Sequence, residues 1–127
     1  MEKLLIIEDS DEIRTQLKWG LGKEYALTFA KDVKEALTLF RKNEPHVVTL
    51  DLGLPPDEQG TKEGFRCLEE VLRQAPSSKI IVITGNDQRE NALRAIQFGA
   101  YDYYQKPINL DELRVIQKLN RSRRDIR

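Results

Sequence analysis

Glu8, Asp9, Asp51, Thr84 and Lys106 are the residues of this chain whose types and spacing could do chemistry, because each follows or closes a short apolar run. The runs are Leu4 to Ile7, Val47 to Leu50, Ile80 to Thr84 and Tyr101 to Gln105. In an open parallel sheet, ligands bind beyond the carboxyl ends of the strands, so strands at these runs would bring three carboxylates, a hydroxyl and an ammonium to one rim. Close carboxylates repel and raise one another's pKa unless a cation neutralises them. An all-oxygen donor set suits Mg²⁺, or Mn²⁺, which keeps its waters and commonly shares a phosphate with one or two carboxylates. An Asp beside such a metal can attack a phosphoryl group and become an aspartyl phosphate. The metal and Lys106 would then offset charge on the phosphoryl oxygens, and Thr84 could donate a hydrogen bond to one of them. No Gly-rich loop follows the first run and no Walker-type sequence is present, so the phosphoryl group is expected to arrive from outside.

Positioning these groups requires a particular frame. The runs at Leu4, Val47 and Ile80 are continuous rather than alternating, as expected of strands covered on both faces. Ala26 to Ala30 and Tyr101 to Gln105 are weaker strand candidates. Between the runs the period becomes helical. Ser10 can cap a helix carrying Ile13, Leu17 and Leu21, with Gly20 and Gly22 marking its end; Asp32 can cap one carrying Val33, Ala36, Leu37 and Phe40, which must stop before Pro45. Phe65, Leu68, Val71 and Leu72 form a third apolar face that ends at Pro76. Ala92, Leu93, Ala95 and Ile96 form a fourth, with Gly99 as C-cap. Leu110, Leu113, Ile116, Gln117 and Leu119 form a fifth after Asn109. Strand and helix alternate five times, the pattern of a doubly wound α/β sheet with helices on both faces. The stretch Gly53 to Gly64, rich in Gly, Pro and acids, is longer than the usual strand-to-helix loop.

The chain has 127 residues and 39% hydrophobic content, the size of one domain with a sizeable core. With 21 basic residues against 21 acidic ones the net charge is zero, which removes the whole-molecule argument for binding nucleic acid or an anionic membrane. One cysteine, Cys67, and one histidine, His46, cannot make an internal disulfide or a zinc cage, and the composition suits a reducing cytoplasm. The first apolar run meets Glu8 too soon for a signal peptide or a membrane span.

The pair Glu8-Asp9, the segment Asp51-Leu52-Gly53-Leu54-Pro55, Thr84-Gly85, and Gly99-Ala100 running to Lys106-Pro107 together resemble the response-regulator receiver (CheY-like) family of two-component signalling. The resemblance covers nearly the whole chain and implies a (βα)5 flavodoxin-like fold with strand order 2-1-3-4-5. It implies a single receiver domain over 1–127, with its core to about residue 120 and a basic tail or start of a linker at 121–127. By the same resemblance Asp51 is the phosphoacceptor and Asp9 a direct Mg²⁺ ligand, with Glu8 acting directly or through water and the Gly53 carbonyl as a further ligand. Thr84 is the switch hydroxyl, Lys106 the phosphate-bound cation and Tyr103 the aromatic switch residue, and Lys106-Pro107 matches a bond that is often cis. Ser10, Ile13, Arg14, Gln16 and Pro107 are the expected kinase-docking residues. The implied partners are a histidine kinase and a downstream effector or C-terminal output domain, with homodimer formation on phosphorylation. Glu at the first acidic position and the long loop after Pro55 depart from the commoner pattern. The loop, with Thr84 to Asp87 and Gly99 to Asp102, resembles receivers of NtrC-like sigma-54-dependent regulators, in particular the PEP-CTERM/exosortase-associated subgroup. If Arg127 were the natural end, the expectation is a stand-alone module; a longer chain would carry an output domain.

The remaining residues have plainer readings. His46 is a polar strand-entry residue on the rim away from the acids, Cys67 a small packing residue, Tyr101 and Tyr104 sheet-packing aromatics. Trp19 lies off the apolar face of its helix. Arg114, Lys118, Arg121, Arg123, Arg124 and Arg127 form a solvated last helix and tail rather than a nucleic-acid patch, since no aromatics interleave them. Two rival functions remain at this stage. A haloacid-dehalogenase-like phosphohydrolase would carry a second Asp two residues after the nucleophile, where this chain has Gly53; a pseudo-receiver would lack the Asp51, Thr84 and Lys106 set.

Overall fold

The computed structural model describes residues 1–85, 89–107, 109 and 111. Five strands, β1 (Glu2–Ile7), β2 (Tyr25–Ala30), β3 (Val47–Asp51), β4 (Lys79–Thr84) and β5 (Asp102–Gln105), form one sheet in the order β2-β1-β3-β4-β5. All four pairings are parallel. The helices among the described residues are α1 (Asp11–Leu21), α2 (Val33–Asn43), α3 (Lys62–Gln74) and α4 (Arg89–Gln97). This is the doubly wound α/β class expected from the alternation of runs, in the flavodoxin-like strand order that the family resemblance implies. The fifth helix face, from Leu110 to Leu119, lies outside the described residues, as do Asn86, Asp87 and the basic tail.

The continuous apolar runs have a direct physical explanation. Successive strand side chains point to opposite faces, and each face here has its own core. Leu5, Ile7, Val48, Leu50, Ile80 and Val82 pack with Val33, Ala36 and Phe40 of α2, Phe65, Leu68 and Val71 of α3, and Ala95 of α4. Leu4, Ile6, Val47, Ile81, Ile83 and Tyr104 pack on the other face with Leu17 and Leu21 of α1. A strand between two cores cannot alternate with polar residues.

Local signals set the helix ends. Ser10 Oγ accepts the Ile13 N–H and Asp32 Oδ1 accepts the Glu35 N–H, so both N-caps work as their residue types predict. α2 ends before Pro45 on Glu44, at φ 48°, a left-handed cap made without glycine. Gly99, at φ 114°, turns the chain from α4 toward β5. Thr61 at the start of α3 makes no side-chain cap.

One expectation needs correcting. Leu93 and Ile96 do not join Ala92 and Ala95 in a buried face: they are 46% and 37% exposed, while both alanines are fully buried. Small side chains let α4 lie close to the sheet, which leaves the larger neighbours on its flank beside exposed Phe98. Arg94 stacks on Phe65 and Phe98 at 4.5 and 5.6 Å from their ring centres, joining α4 to the first turn of α3. Trp19 is 78% exposed, and no helix among the described residues is long and apolar enough to cross a membrane.

The first turn of α3 also sits directly on the backbone that follows Asp51. A Cβ on Gly64 would stand 2.3 Å from Leu52 Cα, a main-chain atom that no side-chain rotation can move aside. Alanine would gain about 1 kcal/mol of helix propensity, but overpacking costs roughly 1–3 kcal/mol. Gly64→Ala is therefore expected to lower the urea midpoint despite the better helix former, measured by equilibrium unfolding; an unchanged or higher midpoint would show that α3 can retreat from β3.

Candidate functional site

Strand parity decides which side chains meet. Glu8 follows Ile6 by two residues, Asp51 follows Val47 by four and Lys106 follows Tyr104 by two, so all three continue the face that packs on α1. Thr84 follows Val82 by two and belongs to the opposite face with Tyr103, which pairs in register with Val82. Glu8, Asp51 and Lys106 gather on one side of the strand ends, and Thr84 with Tyr103 on the other; Asp9, two residues after Ile7, joins the acids from the turn that follows β1.

The acidic group is compact. Carboxylate oxygens of Glu8, Asp9 and Asp51 lie within 4.8 Å of one another. Glu8 is 1% exposed and Asp51 7%. Lys106 Nζ lies 3.4 Å from Glu8 Oε1 and 3.6 Å from Asp51 Oδ1, so a single ammonium serves two buried carboxylates. The Gly53 N–H donates to Asp51 Oδ1 at 3.0 Å and the Ser10 N–H donates to Glu8 Oε2 at 3.2 Å. Glu8 Oε1 receives no hydrogen bond among the described residues, although it is buried.

Burial, followed by the charge of Asp51, pushes the Glu8 carboxyl up to about 8. Burial also raises Asp51, with Lys106 acting against it. Two buried acids held at one point therefore keep a proton between them at neutral pH unless a cation takes its place. A buried Glu8 oxygen that shares the Lys106 ammonium but accepts no hydrogen bond among the described residues, the all-oxygen donor set and this electrostatic need fit a hard divalent cation such as Mg²⁺. The residues placed to hold it are Glu8, Asp9 and Asp51.

The other expected residues are located as follows. Gly53 lies at the start of the long loop, which folds back on it: a Cβ there would come within 2.6 Å of the Glu58 carbonyl oxygen. Thr84 is buried and its hydroxyl has no partner among the described residues, while its carbonyl accepts the Lys106 N–H at 2.7 Å. Tyr103 is half-buried against the α3 side of the sheet. The Lys106-Pro107 bond is cis, as is Pro55-Pro56. Ser10 and Ile13 are half-buried, and Gln16 and Pro107 exposed, near the same rim. Arg14 lies at the same rim, with its side chain 12% exposed and turned inward.

Residues outside the site take the structural roles their types suggest. Lys79 is buried with its ammonium 5.0 Å from the Tyr101 ring, and the Tyr104 hydroxyl donates to the Asn109 carbonyl. Cys67 is buried in the core, where burial pushes its thiol up to about 12 and removes its nucleophilic form. His46 is exposed at the opposite rim. Sequence reasoning missed Thr49, a buried hydroxyl with no partner among the described residues two positions before Asp51, since a Thr in an apolar strand looks like any other β-branched residue.

A model of the response regulator receiver domain matches residues 4–118. The chain belongs to this family. The receiver is 36% identical to the transcriptional regulatory protein KdpE of Staphylococcus aureus, over 97% of this chain and 53% of KdpE. Among solved structures it is similar to NtrX of Brucella abortus, with a TM-score of 0.84 and 29% identity over 100% of this chain and 30% of that one. It is also similar to a response regulator receiver domain protein of Clostridium thermocellum, with a TM-score of 0.87 and 26% identity over 99% and 98% of the two chains. The receiver thus spans about half the length of KdpE and under a third of NtrX. It is a domain of two-component signalling, and its relatives include transcriptional regulators.

The raised carboxyls make the metal-free receiver's stability depend on pH. A folded-state pKa of about 8 against 4.5 for an ordinary Glu means that the folded chain binds more protons than the unfolded one between those values. Glu8 therefore contributes most below pH 4.5, and its contribution is lost as pH rises toward 8, at no more than about 1.4 kcal/mol per pH unit. Urea unfolding without divalent cations, measured from pH 5 to 8 and referenced to other acids, should show this fall in wild type and a flatter profile in Glu8→Gln. Equal slopes in the two proteins would show that Glu8 does not carry the proton.

Proposed function

We propose that this receiver is a phosphorylation-controlled switch in which Asp51 takes a phosphoryl group from the phosphohistidine of a histidine kinase. The observation that carries this reading is Asp51 itself, buried at the end of β3, with Lys106 Nζ 3.6 Å from its Oδ1 and two further acids beside it. An Asp51 carboxylate oxygen bonds to phosphorus, the P–N bond to imidazole breaks, and its electron pair stays on the departing nitrogen. Mg²⁺, held by the carboxylates of Asp9 and Asp51, by Glu8 directly or through water, and by the Gly53 carbonyl, would offset charge on the phosphoryl oxygens. Lys106 exchanges its contact with Glu8 and Asp51 for one with a phosphoryl oxygen. The unpartnered Thr84 hydroxyl turns to donate to another, and Tyr103, on the same face, fills the space it leaves. The surface of α4, β5 and the segment beyond Asn109 changes as a result.

The same reading assigns the kinase contact to the rim around Ser10, Ile13, Gln16 and Pro107. It makes the downstream partner an effector or output domain in transcription regulation, with a homodimer as one phosphorylated form, and places the protein in the cytoplasm. The domain would then occupy 1–127, its chemistry confined to gaining and losing the phosphoryl group. KdpE and NtrX, both longer than this chain, support an output partner. The long loop after Pro55 supports placement with NtrC-like regulators of the PEP-CTERM subgroup. Gly53, where a phosphohydrolase of this chemistry would need an acid, speaks against that rival.

Phosphorylation by acetyl phosphate or a phosphorylated kinase, with Mg²⁺, followed by intact-mass measurement, tests the acceptor. Wild type should gain one phosphoryl group and Asp51→Asn none. An Asp51→Asn protein that accepts phosphate as wild type does would make Asp51 the wrong residue, and sustained turnover of p-nitrophenyl phosphate would favour the hydrolase. Thr84→Ala should still accept the group but lose the change in hydrogen exchange over 89–97 that phosphorylation brings to wild type. An unchanged response in that variant would remove Thr84 from the switch.

A further inference from the structure

We propose that Arg14 is a positioning residue for the acidic site, a clamp from α1 that holds the end of β1 so that Glu8 and Asp9 stay against Asp51. This inference rests on reading the three acids as a divalent-cation site. Arg14 Nη1 donates to the Glu8 main-chain carbonyl at 2.6 Å, and Nη2 pairs with Asp11 Oδ1. The two partners lie on opposite sides of the turn: Glu8 directly follows β1, and Asp11 opens α1. The Arg14 side chain is 12% exposed although that of Asp11 is 92% exposed, so the guanidinium is turned inward to the carbonyl while one edge still meets Asp11.

The i,i+3 pair with Asp11 favours an arginine here, but the helix dipole does not, and neither draws the side chain inward. The first turn of a helix favours negative charge, which Asp11 and Glu12 supply, and disfavours a cation by about 0.3–1 kcal/mol. An arginine in that turn is better explained by what it reaches. Glu8 is tied through its main chain by Arg14 and Ala30, whose carbonyl accepts the Glu8 N–H at 2.9 Å, and through its side chain by Ser10. These contacts oppose the repulsion that would otherwise push the 8–10 turn away from Asp51. Lys106 approaches the carboxylates themselves and does not touch the turn's main chain. The planar guanidinium presents its donors to the carbonyl in a fixed fork, whereas a lysine keeps the charge on a flexible stem that holds the carbonyl less firmly.

Three full-length variants test the clamp: Arg14→Lys, Arg14→Gln and Asp11→Ala. Mg²⁺ binding by calorimetry is read beside the urea midpoint, with hydrogen exchange of the Ser10 amide measured in the metal-free protein. Both Arg14 variants should bind Mg²⁺ about tenfold more weakly and exchange the Ser10 amide faster, while Asp11→Ala, which keeps the carbonyl bond, stays near wild type. Binding by Arg14→Lys within about twofold of wild type would overturn the proposal. So would a loss of affinity in all three variants in proportion to their loss of stability, because a purely structural role predicts that pattern. If wild type bound no Mg²⁺ at all, the reading of the acidic site would fail instead, and Ser10 exchange would still decide whether Arg14 holds the turn.

Discussion

The repulsion among Glu8, Asp9 and Asp51 is the constraint on which the rest of this structure depends. Carboxylate oxygens within 4.8 Å of one another, on side chains that are mostly buried, are unfavourable in an isolated fold. The chain keeps them together by fixing the main chain around them. Glu8 is held by Ala30, Ser10 and Arg14, and Asp51 by the sheet register and the Gly53 N–H. One ammonium, from Lys106, reaches Glu8 and Asp51 from the far edge of the sheet. What remains uncompensated, with Glu8 raised to about 8 and one of its oxygens unsatisfied, is electrostatic demand stored for a cation or a new anion-binding geometry. A site already neutral would have nothing to gain from either.

Much of this was legible in the sequence because it depends on counting. A continuous apolar run between two cores has side chains that alternate by face, so the parity of Glu8, Asp51 and Lys106 relative to their runs already puts them together. The caps at Ser10 and Asp32 follow from residue type. What counting cannot supply is the relative size of neighbours across a face. Leu93 and Ile96 match helical spacing as well as Ala92 and Ala95 do, yet a helix seated on alanines comes too close to the sheet to bury both pairs. The inner contact of Arg14 is hidden for a similar reason: helical spacing says where the side chain starts, but a long flexible side chain can end on either side of the turn, and here it reaches the Glu8 carbonyl.

The long loop after Asp51 adds a second constraint at the same place. Its Glu58 carbonyl packs over Gly53, and the first turn of α3 packs over Leu52 through Gly64, so the two residues after Asp51 are both covered by main chain. Neither Gly53 nor Gly64 tolerates a side chain without moving backbone. A loop that rests on its own strand end in this way is anchored at both ends of the contact, which makes its length compatible with a well-placed Asp51 rather than a source of slack.

Strand parity also separates chemistry from readout. Glu8, Asp51 and Lys106 continue the face packed on α1. Thr84 and Tyr103 occupy the opposite face, against α3 and α4, where moving one buried hydroxyl alters what an aromatic ring can fill. In the proposed switch the signal therefore crosses the sheet through Thr84, whose buried hydroxyl turns from this face toward the phosphoryl group. The face that receives it is also the one where α4 leaves Leu93, Ile96 and Phe98 exposed and where Arg94 joins α4 to α3. A change of packing there alters an apolar surface, and apolar surface is what a partner can read by burying it. The acidic face could not do this work, because its charges are already committed to one another.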